Sequence, residues 1–342
     1  MRLSVILPYA GDVRATAERA VAWERVGVDV LWVPEAYGFD AVTVLGFLAA
    51  RTERVGLGSA ILPIYTRTPA LLAQTAAGLD ALSGGRALLG IGASGPQVVE
   101  GWHGVAYDHP VARTREVVEL CRRAWRRETL RHEGHYRLPL PPEQGTGLGR
   151  PLKMLTRPVR ERIPIYVASL GPANVRMTAE VADGWLPALF LPEKAAQVWG
   201  EALAAGAAKR PGDLDPLEVV GGGPFAIGTD LATAREHARR WIALYVGGMG
   251  ARGRNFYHDL VSRYGYPAEA DRIQELYLAG RKAEAAAAVP DELLEAVCLI
   301  GPPGHVRERV AAYAAAGVTM LQLAPVGPDP LRELAAVREL LP

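Results

Sequence analysis

The chain has 342 residues, 49% of them hydrophobic and 22% charged, with a formal net charge of +1. This near-neutral balance offers no surface for a polyanion, so nucleic acid is not expected as a partner, and no apolar run reaches the ~20 residues of a membrane span. Cys121 and Cys298 lie far apart without metal-ligand spacing, and Met1 to Pro8 enters a strand without a targeting pattern. A reduced, cytoplasmic protein with neither a disulfide framework nor a metal centre is expected.

From the N-terminus, Leu3 to Leu7 reads as a strand broken by Pro8-Tyr9-Ala10-Gly11, and Asp12 caps a helix that ends at Gly27. Val28 to Val33 is a nearly continuous apolar run, as expected of a parallel strand buried on both faces. Asp40 to Arg51 reads as a helix and Val55 to Ile61 as a third strand. Thr68 followed by Pro69 opens a helix that Ser83-Gly84-Gly85 stops, and Arg86 to Ile91 is the fourth strand. Pro110 to Arg127 is a helix whose arginines, among them Arg113, Arg122 and Arg123, are expected on a solvated face.

Periodicity lapses over about 128–162, a Gly- and Pro-rich stretch expected to be an insertion on a rim. Alternation resumes with strands at Ile163 to Ala168, Gly184 to Leu186 and Leu217 to Ile227, and with helices from Pro172, from Pro192 to Ala208 and from Ala232 to about Val246. About 250–290 has helical pieces but no strand pattern, and is expected as a second insertion that could lie over the active face. Val297 to Ile300 is apolar but brief, His305 to Ala316 is a helix, Val318 to Ala324 is the last strand, and Leu331 to Leu341 is a closing helix. A strand count near eight in strand-helix alternation predicts an α/β fold, a (β/α)8 TIM barrel with insertions, spanning 1–342 as one domain.

The stretch Gly90-Ile91-Gly92-Ala93-Ser94-Gly95 spells G-x-G-x-x-G, which raises a nicotinamide-binding crossover. That fingerprint belongs at the first strand-helix turn of its unit, with an acid closing the next strand. Here it follows a fourth strand, Glu116 and Glu119 lie inside a helix, and Pro96 removes a donor near the turn. On a barrel the same loop sits at the C-terminal rim, where small residues let amides approach an anion. Ala168-Ser169-Leu170-Gly171-Pro172 has the same form, so two adjacent loops are expected to share one phosphate. The plain alternative is that the glycines only permit tight turns.

Several segments together carry a family resemblance: Trp32-Val33-Pro34-Glu35-Ala36-Tyr37-Gly38, Arg67-Thr68-Pro69, Leu82-Ser83-Gly84-Gly85-Arg86, Gly95-Pro96-Gln97-Val98-Val99-Glu100-Gly101-Trp102 and Asp183-Gly184-Trp185-Leu186-Pro187. With Gly247-Gly248-Met249-Gly250 they resemble the luciferase-like monooxygenase superfamily, and within it the actinobacterial branch that uses the deazaflavin coenzyme F420. The resemblance implies a barrel that forms a homodimer, with the cofactor at the C-terminal rim. It implies a non-prolyl cis peptide at Ala60-Ile61, beside Ser59, backing the ring. It further implies a tail meeting Ala93, Ser94 and Gly95 from one loop and Ser169, Leu170 and Gly171 from the other, with Gly92, Pro96, Gln97, Val98, Ala168 and Pro172 flanking them.

Alcohol-oxidising relatives carry an acid followed by a histidine after the second strand, and here the pair is Glu35-Ala36. Alanine cannot move a proton, so a reductase adding hydride to an activated C=C or C=N bond is expected, with Glu35, Glu100, His103 or Tyr37 as the candidate donor and Glu35 also as a cofactor ligand. His109, His132, His135, His237, His258 and His305 are expected to be structural or on the surface, and Trp102 and Trp185 either stack on a ligand or fill packing space. An FMN-dependent monooxygenase supplied by a flavin-reducing partner enzyme is the same-fold alternative, and a non-catalytic metabolite-binding barrel is the other. With F420 the corresponding partner is an F420-reducing enzyme.

Overall fold

The computed structural model describes residues 1–8 and 11–342; the expected break at Pro8–Gly11 falls partly on Tyr9 and Ala10, outside the described residues. In chain order, β1 (Arg2–Ile6), α1 (Val13–Trp23), β2 (Val30–Val33), α2 (Ala41–Ala49), β3 (Gly56–Ser59) and the two-residue β4 (Leu62–Pro63) are followed by α3 (Pro69–Ser83), β5 (Ala87–Gly92), α4 (Pro96–Gly101) and α5 (Pro110–Trp125). The first insertion carries a hairpin, β6 (His132–Glu133) and β7 (Arg137–Leu138). Then come β8 (Ile165–Ala168), α6 (Pro172–Val181), β9 (Gly184–Leu186), α7 (Pro192–Ala207), β10 (Glu218–Ile227) and α8 (Ala232–Ala243). The second insertion is helical: α9 (Phe256–Arg263), α10 (Pro267–Leu278), α11 (Lys282–Ala287) and α12 (Asp291–Val297). The chain ends with β11 (Leu299–Gly301), α13 (Pro303–Ala315), β12 (Met320–Pro325) and α14 (Pro330–Arg338).

Eight parallel strands close on themselves in the order β1, β2, β3, β5, β8, β9, β10, β12, with β12 pairing β1 to complete a (β/α)8 barrel. The brief apolar run before Ile300 forms β11, which lies outside the barrel and pairs with the upper half of β10 alone. The local signals act as their chemistry requires. Asp12 caps α1 by accepting from the Ala15 N–H, Thr68 caps α3 by accepting from Leu71, and Gly84 ends α3 at φ 67°, a left-handed conformation that glycine adopts without a Cβ penalty. Helix α8 runs on into a π-turn over Leu244–Gly248.

The arginines of α5 are not simply solvated. Arg122 pairs with Asp183 at 2.9 Å and Arg115 with Glu180, so the face they share is tied to neighbouring elements by ion pairs, while Arg113 on the other side pairs with Asp108 in the loop leading into the helix. The second insertion packs on α8 and on the loop after β9, where the Tyr264 hydroxyl donates to the Leu189 carbonyl.

Strand alternation divides the core in two. Leu3, Val5, Leu31, Val33, Leu57 and Ile91 face the helices, and the residues between them face into the barrel. The interior cluster is Val30, Trp32, Leu88, Tyr166, Leu186, Val220 and Met320. Two large rings meet there edge to face, with the Trp32 and Tyr166 centroids 5.1 Å apart. Glycine makes room for each of them: a Cβ on Gly58 would lie 2.2 Å from the Trp32 ring, and one on Gly184 would lie 2.1 Å from Tyr166. The two rings thus plug the lower barrel, and the glycines of β3 and β9 are the space they occupy.

Candidate active site

Above the Trp32–Tyr166 plug, the inward positions at the C-terminal ends of the strands become small or apolar. Ile6, Ala60, Ile61 and Ala168 are only partly buried and rest on the interior cluster. Gly92 lies among them, its missing Cβ 3.2 Å from Ile61 and 3.3 Å from Ala168. The Ala60–Ile61 peptide bond is cis. Ser59 lies beside it with its side chain turned away from the mouth: its hydroxyl donates to the Gly90 carbonyl at 2.7 Å and accepts from the Gly90 N–H at 3.0 Å, locking β3 to β5. Trp32 has a buried indole N–H with no partner.

Two loops border this floor. After β5 the chain passes the buried Ala93, turns at Ser94 with φ 57°, and starts α4 at Pro96 with Gly95 as a cap that has no side-chain hydrogen bond. A non-glycine in that left-handed region costs about 1–2 kcal/mol, so the turn is held by its surroundings. Val98 lies within α4 and Gln97 is exposed on it. The Tyr107 hydroxyl lies 3.4 Å from the Ser94 carbonyl, and burial pushes that phenol up to about 12. After β8, Gly171 caps α6 without any side-chain acceptor and Pro172 occupies the first turn. The Ala173 and Asn174 amides therefore have no intrahelical partner, and the Asn174 Oδ1 is buried and unpaired. Neither Gly95 nor Gly171 has an atom within 4 Å of where a Cβ would be. The Ser169 hydroxyl does not face this space; it is bonded to Thr178 at 2.9 Å, and the Ser169 and Leu170 carbonyls accept from the Trp185 and Trp199 indoles. The uncapped start itself was legible in Gly171-Pro172, but that the Asn174 side chain is buried and unpaired depends on packing.

The candidate proton donors separate cleanly. Glu35 is held by a fork: Arg67 donates to both of its oxygens, at 2.5 and 3.0 Å, and the Ala41 N–H donates at 2.8 Å. Arg67 also reaches Asp40 at 2.7 Å. Burial works against the Arg67 charge but is outweighed by the Glu35 and Asp40 carboxylates, which raise its pKa. With three hydrogen bonds to its two oxygens, Glu35 anchors the β2–α2 loop. Glu100 is exposed on α4 and accepts from the Tyr107 N–H, so it too is turned outward. Tyr37 is exposed. His103 differs, since its Nε2 is buried with no hydrogen-bond partner.

The remaining aromatic and histidine expectations resolve by burial. Trp185 is 1% exposed and fills packing space against Phe190 and Trp199, while Trp102 is 67% exposed. His109 stacks on His135, His132 pairs with Glu116 and His258 with Asp271.

A cavity of about 680 Å³ opens at the opposite, N-terminal mouth. Many of its charges are paired: Arg160 with Asp80, Arg162 with Asp183, and Arg2 with Glu218, which also accepts from the Tyr166 hydroxyl. Glu218, Tyr166 and Asp183 join the starts of three strands, and that end of a barrel serves stability. At the C-terminal mouth, by contrast, the first amides of α6 have no intrahelical partner.

A barrel with an open floor of small residues and free amides at its C-terminal rim defines a cofactor-binding α/β enzyme of the TIM-barrel class. Residues 1–320 match the Luciferase-like monooxygenase family, and the chain belongs to it. It is 42% identical, over 98% of this chain and 99% of the other, to a Mycobacterium tuberculosis protein provisionally named a coenzyme F420-dependent oxidoreductase. It is 29% identical to the 5,10-methylenetetrahydromethanopterin reductase of Archaeoglobus fulgidus, over 93% of this chain and 92% of that one. Among solved structures, the coenzyme F420-dependent tetrahydromethanopterin reductase of Methanopyrus kandleri shares the fold with a TM-score of 0.80 at 24% identity, covering 99% and 98% of the two chains.

Proposed function

We propose that this protein is a coenzyme F420-dependent oxidoreductase that acts as a reductase on an activated C=C or C=N bond of a small metabolite. The observation that carries this reading is the pairing of a flat, small-residue floor, Ala60, Ile61, Gly92 and Ala168, with the uncapped starts of α4 and α6 beside it. The floor suits a planar ring and the free amides suit an anionic tail. The 42% identity to the mycobacterial relative favours F420 over FMN. When bound, the deazaflavin supplies hydride chemistry; the chain supplies position and a dry, apolar mouth.

In this reading the backbone of Ala93, Ser94 and Gly95 and that of Leu170, Gly171 and Ala173 hold the tail, and Ser59 acts through the β3–β5 lock. Glu35 is a positioning residue that fixes the β2–α2 loop through Arg67. His103 carries the proton, because its Nε2 is buried without a hydrogen-bond partner, whereas Glu35 and Glu100 are engaged and Tyr37 is exposed. A homodimer is part of the proposal, supported by the exposed Tyr37, Phe39 and Leu71 around α2 and α3, and sedimentation tests it. Two buried free cysteines support a reducing, cytoplasmic setting. Because each reductive turnover consumes reduced coenzyme, a separate F420-reducing enzyme completes the cycle.

Titration of the purified protein with oxidised F420 and with FMN, read by coenzyme fluorescence, tests the assignment. Saturable F420 binding with weak or no FMN binding is expected. Tight FMN binding without F420 binding overturns it, and F420 binding without hydride exchange across a panel of enones and imines reassigns the barrel as a carrier.

A further inference from the structure

The mouth of the barrel has two unlike halves. On the adjacent strands β3, β5 and β8 the top inward positions are Ala60, Gly92 and Ala168, directly below the loops with free amides. On the adjacent strands β10, β12 and β1 they are Gly222, Gln322 and the pair Ser4, in register with Gln322, and Ile6, two residues further up. The orientation of Gln322 follows from its neighbours: Met320, two residues earlier, belongs to the interior cluster, while Leu321 and Leu323 on either side pack against the helices. Gln322 is partly exposed, and its side chain makes no hydrogen bond to any described residue. Beside it, a Cβ on Gly222 would lie 1.9 Å from the Gln322 carbonyl oxygen, so the β10 and β12 backbones approach too closely for any side chain at 222. Leu186 on β9 and Pro34 after β2 complete the ring; the polar neighbour in register with Gln322 is Ser4, whose buried hydroxyl is already engaged, donating to the Leu321 carbonyl at 3.1 Å, whereas the Gln322 amide is not.

We propose that Gln322 is a substrate-positioning residue, and that it selects neutral substrates whose reducible bond is conjugated to a carbonyl group. This rests on the function proposed above, which assigns the β3–β5–β8 half to the cofactor and leaves the β10–β12–β1 half to the substrate. An amide N–H donates to a carbonyl oxygen and draws electron density from the bond conjugated to it. A carboxylate or phosphate would be matched by arginine or lysine, and this ring of inward positions has neither. An uncharged donor in an apolar ring is the arrangement that costs least to hold unpaired and gains most from a neutral acceptor.

The test titrates protein loaded with oxidised F420 with cyclohex-2-enone and with fumarate, reading the coenzyme fluorescence, for the native chain and for Gln322→Leu. The native chain is expected to bind the enone more tightly than fumarate. In Gln322→Leu, enone affinity is expected to fall about tenfold, the worth of one hydrogen bond to a neutral acceptor, with F420 affinity unchanged. In turnover the loss is expected mainly in KM if the contact is equal in ground and transition states, and in kcat as well if it strengthens as the bond is reduced. Gln322→Glu keeps the size and removes both N–H donors, so it predicts the same loss should the leucine variant fold poorly. Equal enone affinity in native and variant protein, tighter binding of fumarate, or a parallel loss of F420 affinity overturns the inference. Failure of the native chain to bind F420 at all instead removes the function on which it rests, and is seen before any enone is added.

Discussion

Glu35 lies where a donor is expected and is held by three hydrogen bonds, from Arg67 and from the first turn of α2. Gln at that position keeps the shape and loses the charge on which Arg67 bears, while Asp40 still pairs with the guanidinium. Glu35→Gln is therefore expected to cost about 1–3 kcal/mol, read by urea unfolding, and to leave the pH profile of turnover unshifted. His103→Gln is expected to lower turnover at least tenfold with F420 affinity unchanged, because it removes the proton carrier of the proposed mechanism. Asp183 is one of the carboxylates that stabilise the fold against acid. Burial works to raise its pKa and is outweighed by Arg122, by Arg162 and by the Ile165 N–H, so the folded carboxyl titrates below the usual range. A depressed carboxylate contributes stability above its unfolded pKa of about 4 and loses it as pH falls through the folded value. Asp183→Asn is thus expected to flatten the acid side of the stability-against-pH curve and to lower stability at pH 7 by about 2–4 kcal/mol.

At the scale of elements, the glycines of β5 and its loop do different work, although they sit within one motif. A Cβ on Gly90 would lie 1.8 Å from the Ser59 carbonyl oxygen, whereas one on Gly95 meets nothing within 4 Å at an ordinary φ of −115°. Gly90→Ala is expected to destabilise the barrel by more than about 3 kcal/mol, because the contact is with backbone that cannot turn aside. Gly95→Val is expected to change the melting temperature little and to weaken F420 binding at least tenfold, since the added branch fills space that a ligand tail needs. Unchanged affinity removes the loop from the site. The motif was legible in the sequence as a close-approach loop. That one of its glycines serves strand packing and another serves the rim depends on which strand lies beside each.

For the whole molecule, one hydrophobic core runs from the helices around the barrel into the second insertion, which shares it through Leu260, Ile273 and Leu293. A single cooperative unfolding transition over 1–342 is the expected result, read by calorimetry; two resolved transitions would divide the chain. The alternation of strand and helix, the caps at Asp12 and Thr68 and the stop at Gly84 were all readable, because each is set by residues within one turn of the chain. The boundary at Val297–Ile300 was not, since a short apolar run looks the same inside a barrel and outside it. The arginines of α5 likewise carried no mark of Glu180 or Asp183, their partners some 60 residues away.

By itself the sequence determined the class of fold, the small-residue loops at Gly92–Gly95 and Ala168–Gly171 and the absence of a histidine after Glu35, because local propensity, period and residue type act over short separations. Only the tertiary structure decided which side chains face the mouth and which are already occupied. Closing eight strands fixes the parity of each, and that parity turned Gln322 toward the mouth, while the chain's return through Arg67 engaged Glu35 and left His103 unpaired. Hydrogen-bond partners are assigned by proximity in space, and proximity is what the closed barrel supplies.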